Sequence, residues 1–508
     1  MSSAHVLLIS VCAVIFYCGY QAVKTRQGSL PPGPPGWPIA GNVLDLPRTF
    51  LWLKYREWSK QYGVDLQCTP YPLPTDMIVV SSPKIVSDLL EKRAAIYSDR
   101  PKLVMAIDLI GWDRVTVLMP PNAVWKEHRR SYAKLFGSKA ATAKFASMEV
   151  TEAKTLMKNI LDRPDELRAH IKHWAASLSL KIAYGYETKP GHDNMVTLIN
   201  LALRQFAQVQ KLGSFMVDVL PWLQYIPAWF PGAGFQTVAH KYRQTLTDAI
   251  DTPYHLVKDQ VAAGTAKPSF TTDLLNADDY TTDKDFAVKT SASTIYAAGS
   301  DTSAGQLYGL TLDLMLNPEA RKKAQGELER VVGFDRLPEY ADRENLPYLE
   351  ACVTEAFRLH TLAPLGGTRA AAKDDVYEGY FIPKGTVIQP NIWQMVHDPE
   401  VYDRPMEYIP ERWLTDNPPP HPRELSFGFG RRICPGSILA EASVWITTAM
   451  FLALFDISPT EGSPTSFDQS DKGILDGSTL CHPLEFKCAI RPRSNKAKSL
   501  ISSFESET

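Results

Sequence analysis

The stretch FGFGRRICPG, Phe427 to Gly436, constrains this 508-residue chain more than any other. It sets a cysteine immediately ahead of Pro-Gly and of an apolar run, Ser437 to Phe455, that is apolar nearly all round as a helix and so should be buried. A helix N-terminus carries partial positive charge and free N–H groups, which favour a thiolate. Gly428, Gly430 and Gly436 allow backbone shapes and close approach that a Cβ would block. Phe427 supplies a flat apolar wall, and Arg432 a cation able to meet a carboxylate. GFGRRI lacks the third glycine of a dinucleotide-binding loop.

The seven cysteines include no CxxC pair, which argues against structural zinc. An odd, sparse set is also a poor disulfide framework, so most should be inert buried thiols in a reducing compartment. Taken alone, Cys434 would be one of these. Beside an aromatic wall and an arginine, a single thiolate suits axial ligation of haem iron, whose propionates need cations. The formal charge of -2 gives no reason to expect a nucleic acid partner.

Val6 to Val23 carries no charge. As a helix it would span about 27 Å, enough for a bilayer core. Its lead-in lacks the basic region and its end the small-x-small site of a cleaved signal peptide, so it reads as a retained anchor. Lys24 and Arg26 follow it and put the remainder in the cytosol. LPPGPPGWP, Leu30 to Pro38, is a stiff spacer. The expected layout is an anchor at 6–23, a proline-rich linker at 24–38, one body at 39–493 and a polar tail at 494–508.

The body reads as mainly α with small β-sheets. Helices are expected over Phe286–Asn317, stopped by Pro318, over Pro347–Thr361 and over Ser437–Phe455. Strands are expected at 77–80 and across YFIPKGTVIQ at 380–389, with Pro-Lys-Gly as a hairpin turn. Leu220 to Phe230, LPWLQYIPAWF, is too short to span a membrane. It fits either an interfacial dip or core packing.

Phe427-x-x-Gly430-x-Arg432-x-Cys434-x-Gly436 matches the haem-binding signature of the cytochrome P-450 family, and the chain resembles that family over roughly residues 30 to 493. The resemblance implies a single large helical fold, bound haem b, and Cys434 as the iron ligand that favours O–O cleavage. Phe427 and Arg432 then belong to the haem site.

Three further motifs carry the resemblance. Glu355 and Arg358 in TEAFRLH share a helical face, and their apolar neighbours imply burial. Such a pair needs more partners. YIPERW supplies Arg412, and the resemblance makes Glu355, Arg358 and Arg412 a structural triad. In AAGSDTS, Gly, Ser, Asp and Thr are poor helix formers and predict a locally weakened helix. The family reading is that Ala298 and Gly299 open a groove for oxygen while Asp301 and Thr302 guide protons to it. Trp125 and Arg129 lie one helical turn apart, which also suits plain amphipathic packing; in the family they hold haem propionates, as does Arg369. PPNAVW lacks the Gly-aromatic lead-in of many members.

By this resemblance the chain is a microsomal, fungal-type monooxygenase. It would use O2 and NADPH-derived electrons delivered by a separate NADPH–cytochrome P-450 reductase, which Lys126, Arg130 and Arg431 would meet. It would be an endoplasmic-reticulum, single-pass monomer with a cytosolic body. Pocket segments would be the loop after Asp99, Thr294–Ala298, Leu362–Thr368 and Ser478–Cys481. These are mostly apolar or small, so the substrate should be a small lipophilic molecule. A terpenoid or polyketide intermediate of secondary metabolism comes first, an indole or fatty acid second. A relative that rearranges peroxides or dehydrates without O2, and a haem carrier without turnover, are the competing functions.

Overall fold

The computed structural model describes residues 29–37, 41–47, 49–70, 76–189, 191, 193–210, 213–466, 474–476 and 479–504. The expected anchor, Pro38 of the spacer, Ser478 of the C-terminal turn and residues 505–508 lie outside them. Among the described residues, the helices of eight or more residues are α1 (Leu51–Tyr62), α2 (Ala123–Phe136), α3 (Ala146–Asp162), α4 (Leu167–Tyr184) and α5 (Asn194–Gln210). They continue as α6 (Gly234–Ala262), α7 (Asp285–Leu316), α8 (Pro318–Val331), α9 (Pro347–Leu359), α10 (Ser437–Leu454) and α11 (Asn495–Ser502). The three helices expected from periodicity appear as α7, α9 and α10, with ends shifted by one or two residues.

Helices α3, α4, α7, α9 and α10 share one apolar core around Trp174, Tyr296 and Trp445. Proline at the first position starts both α8 and α9, where its missing N–H is not needed. Asn122 starts α2 by accepting a hydrogen bond from Trp125 N at 2.8 Å. By length and composition α10 could cross a membrane, but 67% of it is buried inside the protein. Its all-round apolar surface is core. Residues 297–303 stay within one unbroken helix, so the weak formers there do not break it.

One sheet has strand order β1-β2-β6-β3, built from β1 (Leu66–Pro70), β2 (Asp76–Val80), β3 (Arg369–Ala370) and β6 (Val387–Pro390). Two-stranded sheets pair β4 (Asp375–Tyr377) with β5 (Tyr380–Ile382), β7 (Phe455–Ser458) with β10 (Ala489–Pro492), and β8 (Ile474–Asp476) with β9 (Cys481–Pro483). The expected hairpin at Pro383-Lys384-Gly385 is therefore wrong. The strands exist, but β5 and β6 belong to different sheets. The reason is burial: β6 is buried along its whole length and lies between β2, which it pairs in parallel, and β3. The real hairpin turn is Glu378-Gly379, across Tyr377↔Tyr380.

Two other segments are clarified. Trp222, Tyr225, Trp229 and Phe230 are exposed, so core packing fails for these aromatics of the 220–230 stretch. Beyond Arg493 the chain folds rather than trails: Ser494 caps α11, and Ala497 and Ile501 are buried.

Candidate active site

The loop before α10 is closed by Cys434 N, which donates to Phe427 O at 2.8 Å. Its glycine content has a packing reason, because a Cβ on Gly430 would lie 2.1 Å from Leu90 O. Phe427 rests against Phe357 of α9, ring centroids 5.5 Å apart. Arg432 reaches outward from the loop and donates to the carbonyls of Ser98 (2.9 Å), Thr116 (3.3 Å) and Met119 (2.7 Å). Its guanidinium sits 4.6 Å from the Trp125 ring centroid. Arg129, one turn further along α2, donates to Ile433 O at 2.8 Å.

Cys434 is the one exposed thiol among the described residues; Cys68, Cys352 and Cys481 are buried and Cys488 half-buried. Yet Cys434 is deep in the protein, and burial raises its thiol above the ordinary value against the opposing Gly436 N–H and Arg129. A thiol both deep and accessible lines an internal chamber. Ala298, exposed in the middle of the core helix α7, is a second such residue. The helix-terminus argument for a free thiolate is thus outweighed by desolvation; a bound metal deprotonates such a thiol outright.

Around the chamber stand Arg100, Arg129, Arg369 and Arg432. Arg369 is 4% exposed, on β3. Arg100 donates to Val117 O at 2.7 Å and to Thr368 O. Burial, then repulsion from Arg432 and Arg129, pushes Arg369 down to about 9. Burial likewise pushes Arg432 down to about 10, with Asp99 opposing and Arg129 assisting. Arg100 is driven well below its ordinary value by burial, Arg369 and Arg432. Guanidinium does not in practice deprotonate, so these directions measure a cost of uncompensated charge. None of the four forms an ion pair among the described residues. A cation set with one buried and three half-buried members and no carboxylate in an ion pair with it calls for an anionic guest. Haem b, with two propionates and an iron that takes thiolate, fits this donor set.

Helix α7 carries the residues expected to form the oxygen groove. Thr302 Oγ1 donates to Ala298 O at 2.7 Å, a local side-chain bond to the turn before it. A Cβ on Gly299 would lie 2.8 Å from Ser179 Oγ, so that glycine also serves the packing of α4. Asp301 turns to a different flank and meets His482 at 3.1 Å. Burial raises its carboxyl, but His482, Lys172 and Arg168 together hold it below the usual carboxylate range. Thus Asp301 and Thr302 are adjacent in sequence, but their side chains bond to different partners.

Behind the loop, Arg358 forks onto Glu355 at 3.0 and 2.8 Å, and Arg412 reaches the same carboxylate at 3.0 Å. The three expected residues are together and buried. Sequence reasoning missed Trp413, whose Nε1 donates to Glu355 at 3.0 Å. It also missed Arg100 and His482. Arg100 adjoins Asp99, which marked only a pocket loop; its neighbours give no sign of the cluster.

Set against known proteins, residues 31–484 match the family described as Cytochrome P-450. Cytochrome P-450 monooxygenase 208 of Postia placenta is 37% identical over 505 residues, 98% of this chain and 96% of the relative. Cytochrome P-450 monooxygenase claR of Ampulloclitocybe clavipes is 38% identical over 487 residues, 94% of this chain and 89% of the relative. Tryptamine 4-monooxygenase of Psilocybe cyanescens is 33% identical over 511 residues, 98% of this chain and 99% of the relative.

Proposed function

The chain belongs to the cytochrome P-450 family of haem-thiolate monooxygenases, and from that premise we propose that it oxygenates a small lipophilic molecule through the chamber at Cys434. The observation that carries this is the deep yet accessible thiol beside four clustered arginines, Arg369 buried and Arg100, Arg129 and Arg432 half-buried, none with an ion-pair partner among the described residues. Haem b, when bound, would supply O2 activation, one oxygen atom going to the substrate and the other to water at the cost of two electrons and two protons. Cys434 would hold the iron, and Arg100, Arg129, Arg369 and Arg432 would meet the propionates, with Trp125 against Arg432 and Phe427 beside the thiol. Ala298 and Gly299 leave room on α7, and Asp301 and Thr302 move protons. Glu355, Arg358 and Arg412 keep the loop in place and touch no reacting atom.

Reduced, carbonyl-bound protein should show the red-shifted Soret band of thiolate ligation. Cys434→Ala should lose it, and retention of that band would make another residue the ligand. Thr302→Ala should keep haem but divert electrons from product to hydrogen peroxide; an unchanged peroxide-to-product ratio would remove Thr302 from proton delivery.

A cavity near α7 is lined by apolar side chains such as Trp112, Ile199, Leu246 and Ala297, with Tyr184, Ser293 and Tyr296 as polar points. That lining suits a lipophilic scaffold, and a terpenoid or polyketide intermediate of secondary metabolism is the first choice. The tryptamine-oxidising relative favours an indole as the second. Product analysis in a host fed each class decides between them. Electrons would come from a separate NADPH-dependent reductase. An endoplasmic-reticulum location is supported by the apolar Val6–Val23 segment and the exposed aromatics Trp222, Tyr225, Trp229 and Phe230. Carbonate extraction should leave the intact chain in the membrane pellet.

A further inference from the structure

We propose that His482 is a positioning residue: it holds the Asp301 carboxylate on the flank of α7, and so ties proton delivery to the strand beside the C-terminal substrate turn. The proposal rests on the reading that Asp301 moves protons.

The contact is specific. His482 Nε2 lies 3.1 Å from Asp301 Oδ2, so an N–H there donates to the carboxylate. The imidazole is 16% exposed and the carboxylate 43%. Asp301 is nevertheless deep enough for burial to be the largest influence on its carboxyl. As at Cys434, depth with accessibility marks an internal surface. One oxygen is occupied by His482, which leaves Oδ1 to exchange protons along that surface.

The helix is shaped to admit the ring. Gly305 follows Asp301 by one turn, and a Cβ there would lie 2.4 Å from His482 Nδ1 and 2.7 Å from its Cε1. Only a residue without a side chain lets the imidazole lie against α7 while it bonds Asp301. The strand is fixed on its other side. Cys481 N donates to Leu362 O at 2.7 Å, which joins β9 to the 362–368 segment expected to face substrate. A shift of either segment when substrate enters is transmitted to the carboxylate through a single backbone step, from Cys481 to His482.

The other charges around Asp301 do not replace the bond. Lys172 and Arg168 of α4 act on it through space. Lys172 also faces Arg204 of α5 and Glu485. Arg168 is engaged with Glu485 at 3.4 Å. Tyr296 of α7 feels the Asp301 charge as well. Without His482, burial would act on Asp301 with less opposition, and the carboxylate would take up a proton at higher pH.

The test uses the full-length holoenzyme with its reductase. In folded His482→Ala, product per NADPH should fall several-fold, and the acid limb of its pH profile should move to higher pH. His482→Gln, whose amide N–H can still reach the carboxylate, should recover most of that loss. Gly305→Ala should reproduce the His482→Ala defect with the ring still present. A readout apart from turnover is the ring 15N signal of His482 in labelled protein, identified by its absence in His482→Gln. It should shift in Asp301→Asn. No shift overturns the contact. A changed cycle in Asp301→Asn with an unchanged pH profile and product ratio in His482→Ala overturns the positioning role alone. If Asp301→Asn also leaves both unchanged, the relay reading has failed and this inference fails with it.

Discussion

Two groups of arginines stand near the Cys434 loop, one buried with Glu355 and one that includes Arg432 of the loop itself, and they differ in how their charge is met. Arg358 and Arg412 share Glu355, and their remaining N–H groups go to the carbonyls of Val396, Pro405, Glu407 and Asp403. Ile409 N and Trp413 Nε1 complete the carboxylate. In the other group Arg100, Arg129 and Arg432 donate to carbonyls, Arg369 lies buried beside them, none forms an ion pair among the described residues, and the members repel one another. Carbonyl dipoles fix direction without cancelling charge. A closed network stabilises the fold by itself, whereas an open one is complete only with an anion bound.

The closed network should be the harder to disturb without loss of the fold. Glu355→Gln leaves two guanidiniums buried without their counter-charge, a cost of about 3–5 kcal/mol, a large share of a domain's net stability. Urea unfolding of the variant should show that loss, and Glu355→Gln with Arg358→Met should recover part of it. A Glu355→Gln protein as stable as the parent would break the comparison.

The open group should respond with opposite signs in its two states. Arg369→Met removes one of several like charges from a buried site. The haem-free chain should therefore gain stability, by about 1.4 kcal/mol for each pKa unit of repulsion relieved. The same variant should release haem faster, because a propionate loses its charge-assisted bond. Thermal unfolding of the haem-free form and haem transfer to an acceptor protein measure the two signs. Destabilisation of both forms alike would show Arg369 to be ordinary core.

These two groups were not equally legible in the sequence. Glu355 and Arg358 are three apart on one helix, and local spacing was enough to pair them. Arg432 and Cys434 were readable because one loop holds them. Arg100 was not, since its place depends on the Thr368 carbonyl, supplied by a segment 268 residues away. His482 lies 181 residues from Asp301, and nothing in either neighbourhood points to the other. The mistaken hairpin at residues 383–385 has the same origin. Turn residues show where a chain bends, but burial of β6 between β2 and β3 decided which strand it joined. Local chemistry was legible; pairing across the fold was legible only where a motif already carried it.

A third set of cations sharpens the comparison from outside. Lys126, Arg130 and Arg431 are exposed, on α2 and on the loop that carries Cys434. Unlike the inner groups they are fully hydrated, so they cost the fold little and can be reversed without unfolding it. Their proposed role is to meet an acidic reductase surface on the thiolate side. Such pairing acts mainly on encounter and is screened within about 10 Å at 0.1 M salt. Reversal of all three charges should therefore slow first-electron transfer at low ionic strength, by about tenfold or more. The difference from the parent should shrink as salt is added, while haem content and unfolding stay the same. The inner arginines should show a much weaker salt dependence, because buried and partly buried charges are screened far less than exposed ones. Stopped-flow reduction across a salt series tests both halves at once. A rate insensitive to charge reversal and to salt would remove the surface patch from electron delivery and leave the two inner groups as the cations that matter.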